Sequence, residues 1–167
     1  MLKKILLALV VALPLGAMAQ KFGTVDLQAL YSAMPETAAM DNQLKETSQQ
    51  YENEYAKLQE EVNKLYADYQ TIAKDNTVLD TIKERHIQEI QERGQKVEQF
   101  RNKAMQDLQQ LQEQLMAPIQ QKLNDAVKAV GVENGFTFIF PNDPMLVLYQ
   151  GTDVVDATPL VKTKLGI

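Results

Sequence analysis

The chain has 167 residues, which is enough for one ordinary domain and short for two. An apolar fraction of 45% and a charged fraction of 23% are close to those of soluble globular proteins, and they exclude a wholly disordered chain, a collagen and a multi-span membrane protein. A formal charge of −5 disfavours nucleic-acid binding. The absence of Cys excludes disulfide bonds and a thiol nucleophile.

The first nineteen residues have the three parts of an export signal. Two lysines precede a nine-residue apolar run, and an Ala-Met-Ala cleavage site follows it. The run is far shorter than the ~20 residues of a membrane span. We therefore expect cleavage before Gln20 and an exported mature chain beyond the inner membrane, residues 20–167, with 15 basic and 22 acidic residues and a net charge of −7. An uncleaved anchor or a buried helix is the alternative.

Residues 36–117 contain no Pro and one Gly, Gly94, which is hard to fit into a compact fold. Apolar residues recur there at alternating spacings of three and four, as at the a and d positions of a coiled coil. In the first half this seam comprises Leu44, Tyr51, Tyr55, Leu58, Val62, Leu65, Tyr69, Ile72 and Leu79, with Ser48 at a polar position. In the second half it comprises Ile87, Ile90, Val97, Ala104, Leu108, Leu111 and Leu115.

A polar break at residues 75–81 separates the two halves, and Thr81 with Glu84 has the spacing of a capping box that begins a new helix. The first helix, about 36–76, has a net charge of −5, and the second, about 82–130, has a net charge of +1. These features favour an antiparallel hairpin. One unbroken rod in a parallel coiled coil with partner chains is the alternative.

Three residues of the predicted second helix are poor helix formers. Gly94 lies in mid-helix and is a candidate hinge, although a tolerated helical Gly is the alternative. Pro118 removes an intrahelical hydrogen bond, so we expect a kink where the arm meets the rest of the chain. Gly131 is suited to the C′ position that ends a helix.

The segments on either side of the arm share an apolar, aromatic-rich composition and are predicted to form one small α+β head. We expect a strand at 22–25, a helix capped by Asp26, a strand at 136–140, a strand at 145–149 buried on both faces, a last strand at 154–155, and a helix that Thr158 caps before Pro159. The expected head and oligomer core comprises Phe22, Val25, Phe136, Phe138, Phe140, Leu146 and Leu148. The predicted organisation is a signal peptide at 1–19, head segments at 20–35 and 118–167, and a helical arm at 36–117. A head this small is expected to complete its core by oligomerisation.

Four apolar residues of the arm lie off the predicted seam: Tyr66, Phe100, Met105 and Met116. Met repacks easily and Tyr tolerates water on one side, so these residues suit an adaptable surface for unfolded chains. Packing at the edge of the seam, or against another chain, is the alternative.

Catalytic chemistry is not indicated. The single His, His86, is not part of an HExxH motif and is expected to be solvated, and no phosphate-binding or nucleophile motif is present. We therefore expect no enzyme activity, no metal and no cofactor. A basic group in the second helix, either a patch that steers acidic clients or an ordinary solvated face, comprises Lys83, Arg85, Arg93, Lys96, Arg101 and Lys103.

The segments KFGTVD, YSAMPE, NGFTFIF and DATPLVKTKLG, placed around a long Gln- and Glu-rich hairpin, resemble the Skp (OmpH) family of periplasmic chaperones. The resemblance covers nearly the whole mature chain. It implies a homotrimer in which three heads form a β-barrel-like body and three hairpins surround a cavity that holds unfolded outer-membrane proteins without ATP. Some members of the family are strongly basic and bind lipopolysaccharide. This chain has a pI of about 4.9, so no lipopolysaccharide or anionic-membrane site is carried over.

The sequence therefore leads to two hypotheses of different classes. The first is an ATP-independent holdase of the cell envelope that binds unfolded clients along its arms. The second is an exported coiled-coil adaptor or spacer that binds one folded partner.

Overall fold

The computed structural model describes residues 20–167, so the predicted signal peptide lies outside the described residues. The elements in chain order are β1 (Lys21–Val25), α1 (Leu27–Ala33), α2 (Pro35–Ala73), α3 (Asp80–Glu133), β2 (Phe136–Pro141), β3 (Val155–Asp156) and α4 (Thr158–Leu165). They form two compact units: a head unit of residues 20–34 and Gln121–Ile167, and an arm unit of Pro35–Gln120. The prediction of an α+β chain with a long helical hairpin is confirmed.

The sheet of the head unit has three parallel strands in the order β2-β1-β3. The central strand comes from the N-terminal segment, and both of its neighbours come from beyond the arm. Thr24 pairs with Phe140 on one side and with Asp156 on the other. Both edges of β1 are therefore paired within the single chain.

A bulge at the start of β2 divides its three phenylalanines between the two faces of the sheet. Lys21 pairs with Phe136 and Phe22 pairs with Phe138, so one residue of β2 has no partner across the ladder. Phe136 consequently lies on the face of Gly23, with the Lys21 ammonium 4.1 Å from its ring centroid. The strand at 136–140 was predicted, but this division of its side chains was not.

The other face of the sheet carries a stack of aromatic rings. The centroids of Phe22 and Phe138 lie 6.2 Å apart with the rings nearly parallel, and those of Phe138 and Phe140 lie 5.7 Å apart. Phe138 is nevertheless 57% exposed and Phe140 is 46% exposed. Within one chain, therefore, these two members of the expected head core are largely open to solvent.

The core of the head unit is aliphatic. Val25 is buried as predicted, whereas Phe22 and Phe136 are only half-buried. The largest fully buried side chains of this unit are Leu30, Met34, Leu123, Val130 and Val161. Most of them come from helices, so the core lies where helices cover the sheet and not among the aromatic residues.

The two short helices of the head unit begin in different ways. The Asp26 carboxylate accepts a hydrogen bond from the Ala29 N–H at 2.8 Å, which confirms the predicted cap of α1. The predicted cap of α4 is wrong, because Ala157 holds the N-cap position and Thr158 is the first helical residue. The Thr158 hydroxyl instead accepts from the Asp26 N–H at 2.9 Å, and thereby joins the two chain segments.

The predicted hairpin break is present, but its local chemistry differs from the expectation. Asp75 forms the turn, since its carboxylate accepts from the Thr77 N–H at 2.8 Å and from the Thr77 hydroxyl at 2.6 Å. The capping-box prediction is wrong, because α3 begins at Asp80 and Thr81 already lies inside it.

The end of α3 was also misplaced. The helix continues through Gly131 to Glu133, so Gly131 does not end it. Gly135, with φ of 67°, provides the left-handed residue just beyond, where Asn134 also closes the last turn by donating its side-chain amide to the Val130 carbonyl at 2.9 Å. Pro118 lies within the uninterrupted helix, and the kink there stays a prediction.

The predicted strand at 145–149 is wrong, because this segment is a loop. Asp143 organises it: the carboxylate accepts from the Met145 N–H at 2.8 Å, and the carbonyl accepts from the N–H groups of Leu146 and Val147 at 2.9 and 2.8 Å. These turn bonds occupy donors that a strand ladder would need. Within one chain Leu146 is 68% exposed and Leu148 is 93% exposed, and their burial in an oligomer stays a prediction.

Candidate binding surfaces

The helices of the arm unit run antiparallel along a narrow, half-buried seam. Two contacts between α2 and α3 define the direction: the Tyr51 hydroxyl donates to Asp107 at 3.2 Å, and Glu61 lies 3.7 Å from Arg93, closer to the turn. Most predicted seam residues are half-buried, and only Val97 and Ala104 are buried among the central ones. The seam therefore holds the helices together but leaves much apolar surface near solvent.

Three predictions near the turn are wrong in detail, two about the seam and one about His86. Leu79 lies beyond the end of α2 and is 67% exposed, and Ile87 is 38% exposed. His86, expected to be solvated, is half-buried. On α3 near the turn, His86 and not Ile87 is therefore the half-buried position.

A polar cluster connects the helices in the base half of the arm. Asp107 accepts hydrogen bonds from the Tyr51 hydroxyl at 3.2 Å and from the Lys103 ammonium at 2.6 Å. The hydrogen bond from Lys103 is the main reason that the pKa of Asp107 is lowered. The pKa of Tyr51 is raised, first by desolvation and then by its hydrogen bond to Asp107.

This cluster predicts an acid dependence of hairpin stability. The pKa of Asp107 is lower in the folded chain, so its contribution is present above the ordinary Asp pKa and is lost as pH falls through the folded value. Asp107→Asn is therefore expected to lower the melting temperature at pH 7 in low salt and to reduce its further fall below about pH 4. Circular dichroism melts between pH 7 and pH 3 measure this. Equal slopes for the two proteins would contradict it, and Asp125→Asn is the control on the same helix.

Beside this cluster an open apolar groove runs between α2 and α3. The arm groove has a volume of about 420 Å³ and is lined by Ser48, Tyr51, Glu52, Tyr55, Phe100, Arg101, Ala104, Met105 and Leu108. The rings of Tyr51 and Phe100 meet edge to face, 5.9 Å between centroids. Small side chains at two seam positions, Ser48 and Ala104, leave the space that the groove occupies.

The structure brings together two of the four residues predicted for client binding. Phe100 and Met105 both line the arm groove, where Met105 is 62% exposed and Phe100 is half-buried. Tyr66 is 54% exposed and lies outside the groove. Met116 is half-buried in a second groove of about 300 Å³ together with Gln112, Glu113, Ala117 and Gln120.

Sequence reasoning assigned Tyr51, Tyr55 and Leu108 only to the seam, yet they also form walls of the arm groove. The sequence does contain a pattern from which these three groove residues could have been predicted. A small residue at a seam position on each helix opens a gap, and aromatic residues one turn away on the same helix then border that gap. Recognising this requires the register between the helices, which the sequence pattern alone did not give.

A second apolar surface lies on the head unit. The head groove has a volume of about 450 Å³ and is lined by Phe22, Thr24, Phe140, Leu146, Val147, Leu148, Tyr149, Gln150 and Val154. It lies between the aromatic face of the sheet and the exposed loop. Met145 at 88% and Tyr149 at 87% exposure extend the apolar surface on that loop. Exposed apolar area of this extent is typical of an interaction surface.

The basic group of α3 is partly neutralised by neighbouring acids. Arg93 pairs with Glu61, Arg101 with Glu98 and Lys103 with Asp107. Arg85, Arg93 and Lys96 also border a polar depression that contains Glu89 and Glu92. These contacts favour the interpretation as a solvated helix face.

Between residues 20 and 167, no group of three or more His, Cys, Asp or Glu side chains is placed to hold a metal ion. Over the same residues, no helix combines the length and apolar character needed to cross a membrane.

A small sheet-bearing unit and a long helical hairpin, each with an open apolar surface, define a class of proteins that bind other polypeptides. The comparison with family models identifies the family: the model described as outer membrane protein (OmpH-like) matches residues 21–165, and the chain belongs to this family. Members of the family are periplasmic chaperones of outer-membrane proteins and are not enzymes. No curated protein matches the chain.

Proposed function

We propose that the protein is an ATP-independent periplasmic holdase, which binds unfolded outer-membrane proteins between helical arms and prevents their aggregation. In this proposal the export signal is cleaved before Gln20, and three chains assemble through their heads. Client segments bind by many weak contacts, and mass action sets the degree of protection. Release follows when the client folds elsewhere.

The observation that carries the proposal is the apolar groove on the arm. Its lining includes the exposed Met105 and the half-buried Phe100, and Tyr66 adds exposed apolar surface elsewhere on the arm. Met and aromatic side chains adapt to sequences of different shape, as a holdase with varied clients requires. A structural spacer would not need such open apolar surface on a half-buried seam.

The proposal is tested by diluting a denatured outer-membrane barrel protein from urea into buffer with the mature chain. Light scattering is expected to fall with increasing chaperone and to reach its minimum near one assembly per client, with no ATP present. Persistent aggregation at every ratio would reject the holdase function. A folded soluble protein of similar size, added as competitor, is expected to have no effect.

A triple substitution separates the holdase from the adaptor. Replacing Tyr66, Phe100 and Met105 by Ser is expected to raise the chaperone concentration needed for half-maximal protection severalfold, because each change removes apolar contact area. Oligomeric mass, measured by light scattering, is expected to stay the same, since all three residues lie in the arm unit.

The matched control replaces three exposed polar residues of α3, the helix that carries Phe100 and Met105, by Ser: Gln99, Gln106 and Gln109. This control is expected to protect as well as the natural chain does. Undiminished protection by the apolar triple variant would remove these side chains from the client surface. Saturable binding of one native partner that survives the triple substitution would favour the adaptor.

A further inference from the structure

We infer that the arm groove is an anchor site for one aromatic side chain of an extended, unfolded polypeptide segment. This inference rests on the proposed function and specifies which part of a client the arm holds. The shape of the groove, the geometry of its aromatic walls and the two charges at its rim all favour such an occupant.

The size and lining of the groove suit a single large side chain. Its volume of about 420 Å³ lies near the lower end of the range of about 300–1,000 Å³ for small-ligand sites. The small side chain of Ala104, 8% exposed, lies at the base, and Met105, 62% exposed, lies at the mouth. A groove of this size holds an aromatic side chain together with the backbone beside it, but not a folded domain.

The walls favour an aromatic occupant over an aliphatic one. Tyr51 and Phe100 already meet edge to face at an interplanar angle of 64°, so a third ring can continue the same arrangement. The thioether of Met105 is a further favourable neighbour for a ring. The Tyr51 hydroxyl is engaged by Asp107, so the polar end of that wall already has a partner.

The rim adds selectivity for unpaired backbone. Glu52 from α2 and Arg101 from α3 line the same groove, and no ion pair joins them among the contacts of the described residues. Their own contacts are long: Arg101 lies 3.9 Å from Glu98, and Glu52 accepts from the Ser48 hydroxyl at 3.4 Å. Both therefore keep capacity for another partner.

A residue in an extended segment offers the hydrogen-bond partners that Glu52 and Arg101 can still take. Each residue of an unfolded segment has one backbone N–H donor and one C=O acceptor. The Glu52 carboxylate can accept a hydrogen bond from the backbone N–H, and the Arg101 guanidinium can donate one to the backbone C=O. In a folded protein these backbone groups are already paired, so the rim distinguishes unfolded from folded chains without selecting clients by net charge.

Methionine methyl NMR of the full mature chain tests the anchor. The probe is a capped peptide, Ser-Gly-Ser-Phe-Ser-Gly-Ser, and its control has Leu in place of Phe. The Phe peptide is expected to shift the Met105 methyl signal saturably and to bind about two- to tenfold more tightly than the Leu peptide. Met34, Met40, Met116 and Met145 serve as internal references, whose signals are expected to stay in place.

Two variants sharpen the test. Ser48→Leu places an apolar side chain at a seam position that lines the groove, so it is expected to fill the groove, to keep or raise the melting temperature, and to abolish the Met105 shift. Glu52→Gln combined with Arg101→Gln is expected to lower the affinity for the Phe peptide. The ratio of its affinity to that of the Leu peptide is expected to stay the same. No shift of Met105, equal shifts at Met145, or equal affinity for the two peptides would overturn the inference.

The aggregation assay, run on the same samples, separates this inference from the proposed function. Protection of the barrel protein without a peptide-induced shift at Met105 would reject the anchor and leave the holdase standing. A saturable, Phe-selective shift without any protection would support the anchor and reject the holdase.

Discussion

Gly23→Ala is expected to destabilise the head unit by about 1–3 kcal/mol, as overpacking of a filled site does. A Cβ atom at this position would lie 2.7 Å from Cε1 of Phe136 and 3.3 Å from the Val155 carbonyl oxygen. The Phe136 ring is held in place by the Lys21 ammonium above it, and the carbonyl belongs to the neighbouring strand. To relieve these contacts, either the Phe136 ring or one of the strands β1 and β3 has to move.

The measurement is the free energy of unfolding from urea denaturation, followed through the amide NMR signals of β1 in the head unit. Gly23→Ala with Phe136→Leu is expected to recover part of the loss, because the smaller side chain removes the closest contact. An unchanged midpoint for Gly23→Ala would contradict the close approach of β1 and Phe136.

Gly94→Ala is the matched comparison, because a Cβ atom there would meet nothing within 4 Å. The same substitution is therefore expected to stabilise the arm helix by up to about 1 kcal/mol, the usual cost of a mid-helix Gly relative to Ala. If Gly94 acts as a hinge, the stabilised variant is also expected to protect a bulky client less well. This outcome would give the glycine a role in arm movement that packing does not explain.

The sequence allowed prediction of the features set by local and periodic patterns. The seam spacing predicted both arm helices, and Asp26 predicted the start of α1. Such features depend on contacts within one turn, or on a pattern repeated many times, so an error at one position changes little. The family resemblance was likewise confirmed, because it rests on several separate segments.

The wrong predictions of helix ends have a different cause. Thr81, Gly131 and Thr158 were each assigned to a helix end by residue type, yet the ends lie one to several residues away. A capping residue competes with its neighbours for the same role, and tertiary contacts decide between them. The Thr158 hydroxyl, for example, bonds to the backbone of Asp26, 132 residues away in sequence.

The candidate site was only partly predictable for a related reason. Phe100 and Met105 were recognised from their positions off the seam, but the groove they border also depends on Tyr51 from the other helix. Which residues face one another follows from the register of α2 against α3. The bulge in β2 had a similar effect, since one extra residue moved Phe136 to the opposite face from Phe138.

Leu146→Asp combined with Leu148→Asp is expected to disrupt the proposed trimer while each head unit remains folded. In the single chain these side chains are 68% and 93% exposed, so folding of one chain does not depend on their burial. Burying a Leu side chain contributes about 1.5–3 kcal/mol, so the pair would contribute several kcal/mol per chain to assembly. A charge at the same place adds an unfavourable desolvation cost.

Val132→Asp is the control, because Val132 is 85% exposed on the head unit but does not line the head groove. Multi-angle light scattering of the mature proteins is expected to give the mass of three chains for the natural sequence and for this control, and a lower mass for the loop variant. A monomeric natural chain would reject the proposed trimer outright. A trimer that survives both loop charges would place the interface elsewhere. The loop would then be free for another partner, because the fold of one chain does not bury its apolar side chains.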